Sequence, residues 1–201
     1  MEKEVIENHK RYIARVNLYK KFGYDIEKER GFILDKAQPL YGNILEIGTG
    51  KGYFALELAR RGYKFTSIDI SEEEQAFARL NIKNFGLERN VNFRAENAED
   101  MSFEDKSFDI IFLINVVHHL ANPYRVMDEV IRVVTSGGKI VLSDFTRAGL
   151  DIVDKVLASE GRKHDVSKVT LTDIKRYLED KRFKIAEASS RFQEILIAHH
   201  S

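Results

Sequence analysis

Residues 44–52 read Ile-Leu-Glu-Ile-Gly-Thr-Gly-Lys-Gly, an apolar run that breaks into three alternating glycines. A second signal, Ser67-Ile68-Asp69-Ile70, follows at the distance one β-α-β unit requires. The pair describes a strand, a tight turn, a helix and a second strand that ends in a carboxylate. Asp69 lies about twenty residues past the first glycine, the spacing at which a Rossmann-type fold offers an acid to a ribose. A nucleoside-bearing cofactor is the first expectation.

The glycine spacing narrows the choice. A dinucleotide fingerprint is G-x-G-x-x-G, with the turn leading into a helix that holds a pyrophosphate at its N-terminus. Gly48, Gly50 and Gly52 instead give G-x-G-x-G, and Tyr53 stands where the third dinucleotide glycine belongs. A ring there obstructs the close helix–strand approach which that glycine permits. Glu46 adds negative charge where a pyrophosphate least wants it, and suits a cofactor carrying an ammonium and a sulfonium.

The stretch LEIGTGKGYFALELA resembles motif I of the class I S-adenosylmethionine-dependent methyltransferases. Further segments are similar in the family's order. VNFRAENAEDMSF (91–103) resembles the third strand and the adenine loop. FDIIFLINVVHHL (108–120) resembles the fourth strand and its polar end, and RVVTSGGKIVLSDF (132–145) a Gly-Gly turn and the fifth strand. The resemblance covers about residues 44–145. It implies cofactor contacts from Glu46, Gly48, Thr49, Gly50 and Gly52, and from Asp69 to the ribose with Ile70 beside it. It also implies contacts from Asn97 and Ala98 to adenine and from Asn115 across the crevice. Asn97 stands where many members carry Asp, which keeps an acceptor and adds a donor.

The fold implied is α/β, a Rossmann-like three-layer sandwich. Its seven-stranded, mostly parallel sheet has the order 3-2-1-4-5-7-6 with the last strand antiparallel. The 201 residues are expected to make one domain. Residues 1–40 supply N-terminal helices or a lid, 41–145 the cofactor-binding core, and 146–201 a substrate-side segment with the closing hairpin. Val5, His9, Tyr12, Ile13 and Val16 fall at helical spacing and predict a helix over about 3–21. Ser71 and Glu74 read as a capping box, as do Thr170 and Asp173. Asn122 and Pro123 read as N-cap and N1 of a helix whose buried stripe is Tyr124, Met127, Ile131 and Val134.

Composition excludes several classes. With no cysteine there are no disulfides, thiolate metal sites or thiol nucleophiles. Thirty-two Lys and Arg balance thirty-two Asp and Glu, so nucleic acid is not the expected partner. No apolar run approaches the ~20 residues of a membrane span. The charged start MEKEVIENHKR is no signal peptide, and a cytoplasmic location is expected. No metal-ligand spacing occurs, and no metal is expected.

The expected function is methyl transfer from S-adenosylmethionine to a small or medium-sized molecule. A regulatory or scaffold module that only holds the cofactor is the alternative from another class. A nicotinamide dehydrogenase is disfavoured by Tyr53 and Glu46. If the acceptor must lose a proton, a histidine is the natural base near neutral pH. His119 is the first candidate, because it follows the fourth strand next to His118. His164, in the aperiodic EGRKHDV segment, is the second. Asp144, ending the fifth strand, could touch an acceptor or cap the following connection. Residues 160–184 hold eight Lys or Arg against five Asp or Glu, an excess that suits an anionic acceptor or a solvated surface.

Overall fold

The computed structural model describes residues 2–162 and 169–200. Two helices come first, α1 (Lys3–Lys21) and α2 (Ile26–Lys36). The strands are β1 (Ile44–Ile47), β2 (Phe65–Asp69), β3 (Val91–Ala95), β4 (Phe108–Ile114), β5 (Val134–Phe145), β6 (Phe183–Ser189) and β7 (Gln193–His200). Between them lie α3 (Tyr53–Arg60), α4 (Glu72–Asn84), α5 (Pro123–Val133), α6 (Arg147–Ser159) and α7 (Leu171–Asp180). The sheet order is 3-2-1-4-5-7-6, with β7 antiparallel to both neighbours. Order and sense are those expected from the sequence.

The two central strands, β1 and β4, are apolar at every position but two, Glu46 and Asp109, because both their faces are covered. Ile44, Ile110, Phe112 and Ile114 pack towards α2, α3 and α4. The alternate residues Leu45, Ile47, Ile111 and Leu113 pack towards α5 and α7. Two cores thus sandwich the sheet, and a one-residue slip of β1 would exchange them. Asp109 stands at the start of β4, whereas Glu46 is a carboxyl in the middle of the apolar run.

From β1 the chain runs through β2 to β3, then crosses back to β4 on the other side of β1. The carboxyl ends of β1 and β4 therefore flank the reversal in strand order, where open α/β sheets bind their ligands.

Several local expectations are corrected. In α5 the buried residues are Val126, Met127, Val130 and Val133, while Tyr124 is 43% exposed and Val134 already belongs to β5. Both stripes have helical spacing, and the one that faces the sheet wins. In α1 Ile13 points outward and Asn8, a polar residue, is buried instead. Thr170 and Asp173 form the reciprocal capping box, whereas Ser71 only accepts from the Glu74 N–H without the return bond. The Asn122 side chain does not cap α5; its amide donates to Glu99. Gly137-Gly138 makes no turn but lies within β5, where pairing with β4 shifts register between Phe108 and Ile110.

Candidate active site

Each glycine after β1 has its own reason. At Gly48, φ is +84°, and a Cβ would meet Val116 Cγ2 at 2.0 Å. The turn thus lets the segment after β4 close against the end of β1. At Gly52 a Cβ would stand 2.7 Å from that of Ala78, so this glycine brings α3 against α4. Gly50 differs: φ is +48° and nothing lies within 4 Å of its missing Cβ. Its N–H donates to Asp69 Oδ2 at 2.7 Å, and the Ser71 N–H donates to Asp69 Oδ1 at 2.9 Å. Each carboxylate oxygen keeps a lone pair beyond those bonds, so Asp69 can still accept two hydroxyl protons. Beside it Ile70 is 75% exposed, a large apolar face turned to solvent.

The underside of this loop is a buried polar chain. Glu46 is 2% exposed and accepts from Ser67 Oγ at 2.5 Å. Ser67 meets the Thr49 hydroxyl at 2.6 Å, and Gln75 Nε2 reaches Thr49, the Ser67 carbonyl and the Arg94 carbonyl. Burial pushes the Glu46 carboxyl up to about 8, with the Asp69 charge adding to the rise and Ser67 and Arg30 opposing it. Near neutral pH this acid is therefore mostly protonated. Glu46 points into this buried chain, and Thr49 turns its side chain inward to Ser67 and Gln75. Both side chains hold the loop from behind, and the Thr49 N–H donates to the Ile68 carbonyl at 3.1 Å.

The segment after β3 is pinned from outside. Arg132 donates to the Met101 and Phe103 carbonyls and pairs with Glu129, which accepts from the Met101 N–H. Asn97 is exposed and its oxygen accepts from the Glu99 N–H, while Ala98 packs partly against the core. Sequence reading missed Arg132, since an Arg late in a helix gives no sign of which loop it reaches.

After β4, Asn115 adopts φ +55°, a left-handed conformation that Asn tolerates better than most residues. With its amide set to satisfy both neighbours, its oxygen accepts from Arg30 at 2.7 and 3.0 Å and its nitrogen donates to Gln193 at 2.8 Å. Gln193 Nε2 donates to the Tyr24 hydroxyl at 2.8 Å, and Ser143 Oγ donates to Gln193. The Asn115 side chain is thus committed to α2 and β7, and its backbone N–H donates to the Ser143 carbonyl at 2.7 Å. Next, a 3-10 turn spans Val117–His119. His118 is buried, with Nδ1 2.6 Å from Asp144 Oδ1 at the end of β5. That oxygen also accepts from the Phe145 N–H. His119 is exposed, its ring 4.0 Å from that of His118. His164 lies outside the described residues. Among the described residues no cluster of His, Cys, Asp and Glu could hold a metal.

Residues 45–142 match the family model of a methyltransferase domain. A phosphatidylethanolamine N-methyltransferase of Cereibacter sphaeroides is 35% identical over 58% of this chain and 59% of its own length. A solved S-adenosylmethionine-dependent methyltransferase of Methanosarcina mazei is 25% identical, over 84% of this chain and 97% of that one, with a TM-score of 0.63. Residues 45–142 form a class I S-adenosylmethionine-dependent methyltransferase domain. The matched region spans about three fifths or less of the curated relatives first found. The fold is also that of the [4+2]-cyclase SpnF, at 17% identity and a TM-score of 0.70 over 87% of this chain and 81% of that one. Fold likeness alone therefore does not select the chemistry. The methyltransferase residues fit the family's cofactor: open space at Gly50, unspent acceptors on Asp69 and the bare face of Ile70 line one stretch.

Proposed function

We propose that the protein transfers a methyl group from S-adenosylmethionine to a small or medium-sized acceptor. The observation that carries this reading is Gly50, which has a left-handed backbone, no neighbour at its missing Cβ and an N–H already tied to Asp69. A glycine held open beside a carboxylate suits a ligand that lies along the backbone and presents a diol. In this reading Asp69 takes the ribose hydroxyls, and Ile70 and Ala98 flank the adenine, with Asn97 at its edge. The backbone from Gly48 to Gly50 and that of Asn115 line the amino-acid end. Gly52 and Glu46 serve from behind, by setting the helix approach and the turn.

The sulfonium supplies an activated methyl carbon when the cofactor is bound. The protein then has mainly to hold an acceptor in line, and orientation alone contributes on the order of 7–11 kcal/mol. For an acceptor that must lose a proton, the geometry favours His118 over His119. Asp144 fixes the His118 ring through Nδ1, and a proton held there puts the lone pair on Nε2. His119 stands on the solvent side of that pair and serves the turn.

Incubation with S-adenosylmethionine and candidate acceptors, followed by detection of S-adenosylhomocysteine, tests the reaction. Calorimetry with S-adenosylhomocysteine tests the site. Asp69→Ala should weaken that binding by roughly 1.5–3 kcal/mol for each charged hydrogen bond lost. Unchanged affinity would remove Asp69 from the cofactor site. Binding without turnover for any acceptor would favour the regulatory module.

A further inference from the structure

A cavity of about 390 Å³ lies between α1, the start of α3 and α4, and no role described so far accounts for it. Its size suits a small organic molecule. Helix α1 lends Arg11, Tyr12 and Arg15, the glycine turn lends Lys51 and Tyr53, and α4 lends Phe77. Three cations thus face one acid on the wall, Glu160, which pairs with Arg15. Lys51 has only a loose contact with Glu74, at 3.9 Å with both side chains partly solvated, which contributes little. Arg11 is exposed at the rim. The rings of Tyr12 and Tyr53 stand 5.5 Å apart, and the Lys51 ammonium lies 5.9 Å from the Phe77 ring.

The cavity is built rather than a gap between loose helices. Asn8 and Asn81, both nearly buried, form its floor: Asn8 Nδ2 donates to Asn81 Oδ1 at 2.9 Å and to the Phe77 carbonyl at 3.2 Å. Asn81 Nδ2 in turn donates to the Lys51 carbonyl at 3.0 Å, within the glycine turn itself. The floor therefore ties α1 to the loop on which the cofactor reading rests.

We infer that this cavity recognises the methyl acceptor, and that the acceptor is an organic anion with a ring-bearing or otherwise apolar body. The inference rests on the methyltransferase reading for the word acceptor, but the binding chemistry stands on the cavity alone. Aromatic walls remove apolar surface from water, while guanidinium and ammonium groups at the rim meet a carboxylate, sulfonate or phosphate. A neutral molecule of the same shape forfeits the second term.

Two probes of matched shape separate these terms. 8-Anilino-1-naphthalenesulfonate carries the anion, and N-phenyl-1-naphthylamine is the same skeleton without it. The fluorescence titration is run with the whole chain, with and without saturating S-adenosylhomocysteine, whose own binding is measured by calorimetry. The sulfonate should bind one to one, at least tenfold more tightly than the neutral probe, in the presence of S-adenosylhomocysteine. Arg11→Gln with Lys51→Gln should bring the two probes to within about threefold of each other, while Arg11→Gln alone leaves S-adenosylhomocysteine affinity unchanged. Equal affinities in the natural protein, or a preference that survives the double substitution, would overturn the inference. Displacement of the sulfonate by S-adenosylhomocysteine would also overturn it, since the cavity would then belong to the cofactor. Failure of S-adenosylhomocysteine to bind, with the probe preference intact, would sink the methyltransferase reading and leave an anion site without its assigned substrate.

Discussion

The two sides of the crevice are built differently. On the β1–β2 side, the glycine turn, Asp69 and Ser71 lie within one short stretch of chain, and their contacts join residues nineteen and two positions apart. On the β4–β5 side, Tyr24 and Arg30 meet Asn115 and Gln193, so that three distant segments come together. Glu29 likewise reaches Ser190, and Arg15 reaches Glu160. The first side is set by local backbone requirements, which constrain residue type strongly. The second is set by side chains that the topology brings together, and these carry no local signature.

The comparison can be broken first on the β4–β5 side. His118→Ala should lower turnover by roughly 10²–10⁴ for an acceptor that loses a proton, with S-adenosylhomocysteine affinity kept. His119→Ala should cost far less. Equal losses, or none from His118→Ala, would return the reaction to positioning alone. Asp144→Asn should act in the same direction as His118→Ala, because the ring loses the acceptor that holds Nδ1.

On the glycine side the effects should separate by position. Gly48→Ala forces a Cβ onto Val116 in a left-handed conformation and should destabilise the fold by about 2–5 kcal/mol. Gly50→Ala meets no neighbour, and its strain alone should cost about 1–2 kcal/mol. Thermal melts that rank the two equally would show that the three glycines do not have separate roles.

A smaller effect sharpens the role of Glu46. Its folded pKa, about 8, lies above the ordinary carboxyl value of 4.5, so the folded state holds a proton that the unfolded chain releases. Stability from this group is complete below about pH 4.5 and is lost progressively as pH rises to about 8, by roughly 1.4 kcal/mol per unit. Glu46→Gln, which stays neutral, should gain stability over the natural protein as pH rises through that window. A constant difference between pH 5 and 8 would show that Glu46 is ionised within the fold.

Strand order and the glycine turn with Asp69 beside it were legible because their signals are steric and local. A left-handed turn demands glycine, and doubly buried strands demand continuous apolar runs. What escaped reading has a common cause. The ring paired with Asp144 is that of His118, because the 3-10 turn decides which of two adjacent histidines faces inward. Thr49 was legible as a loop residue and Glu46 as a strand residue beside the turn, but their orientation depends on Ser67 and Gln75, which no motif links to them. The α5 stripe was misread because two helical faces fitted the spacing and only the sheet could choose.

The central claim is that the cofactor lies along the turn at Gly50, beside Asp69. Calorimetric titration of S-adenosylhomocysteine into the natural protein and into folded Gly50→Val tests it most directly. One-to-one binding to the first and none detectable to the second is the predicted result. Equal affinity for both would contradict the account, because a branched side chain at Gly50 leaves no room for a ligand on that path.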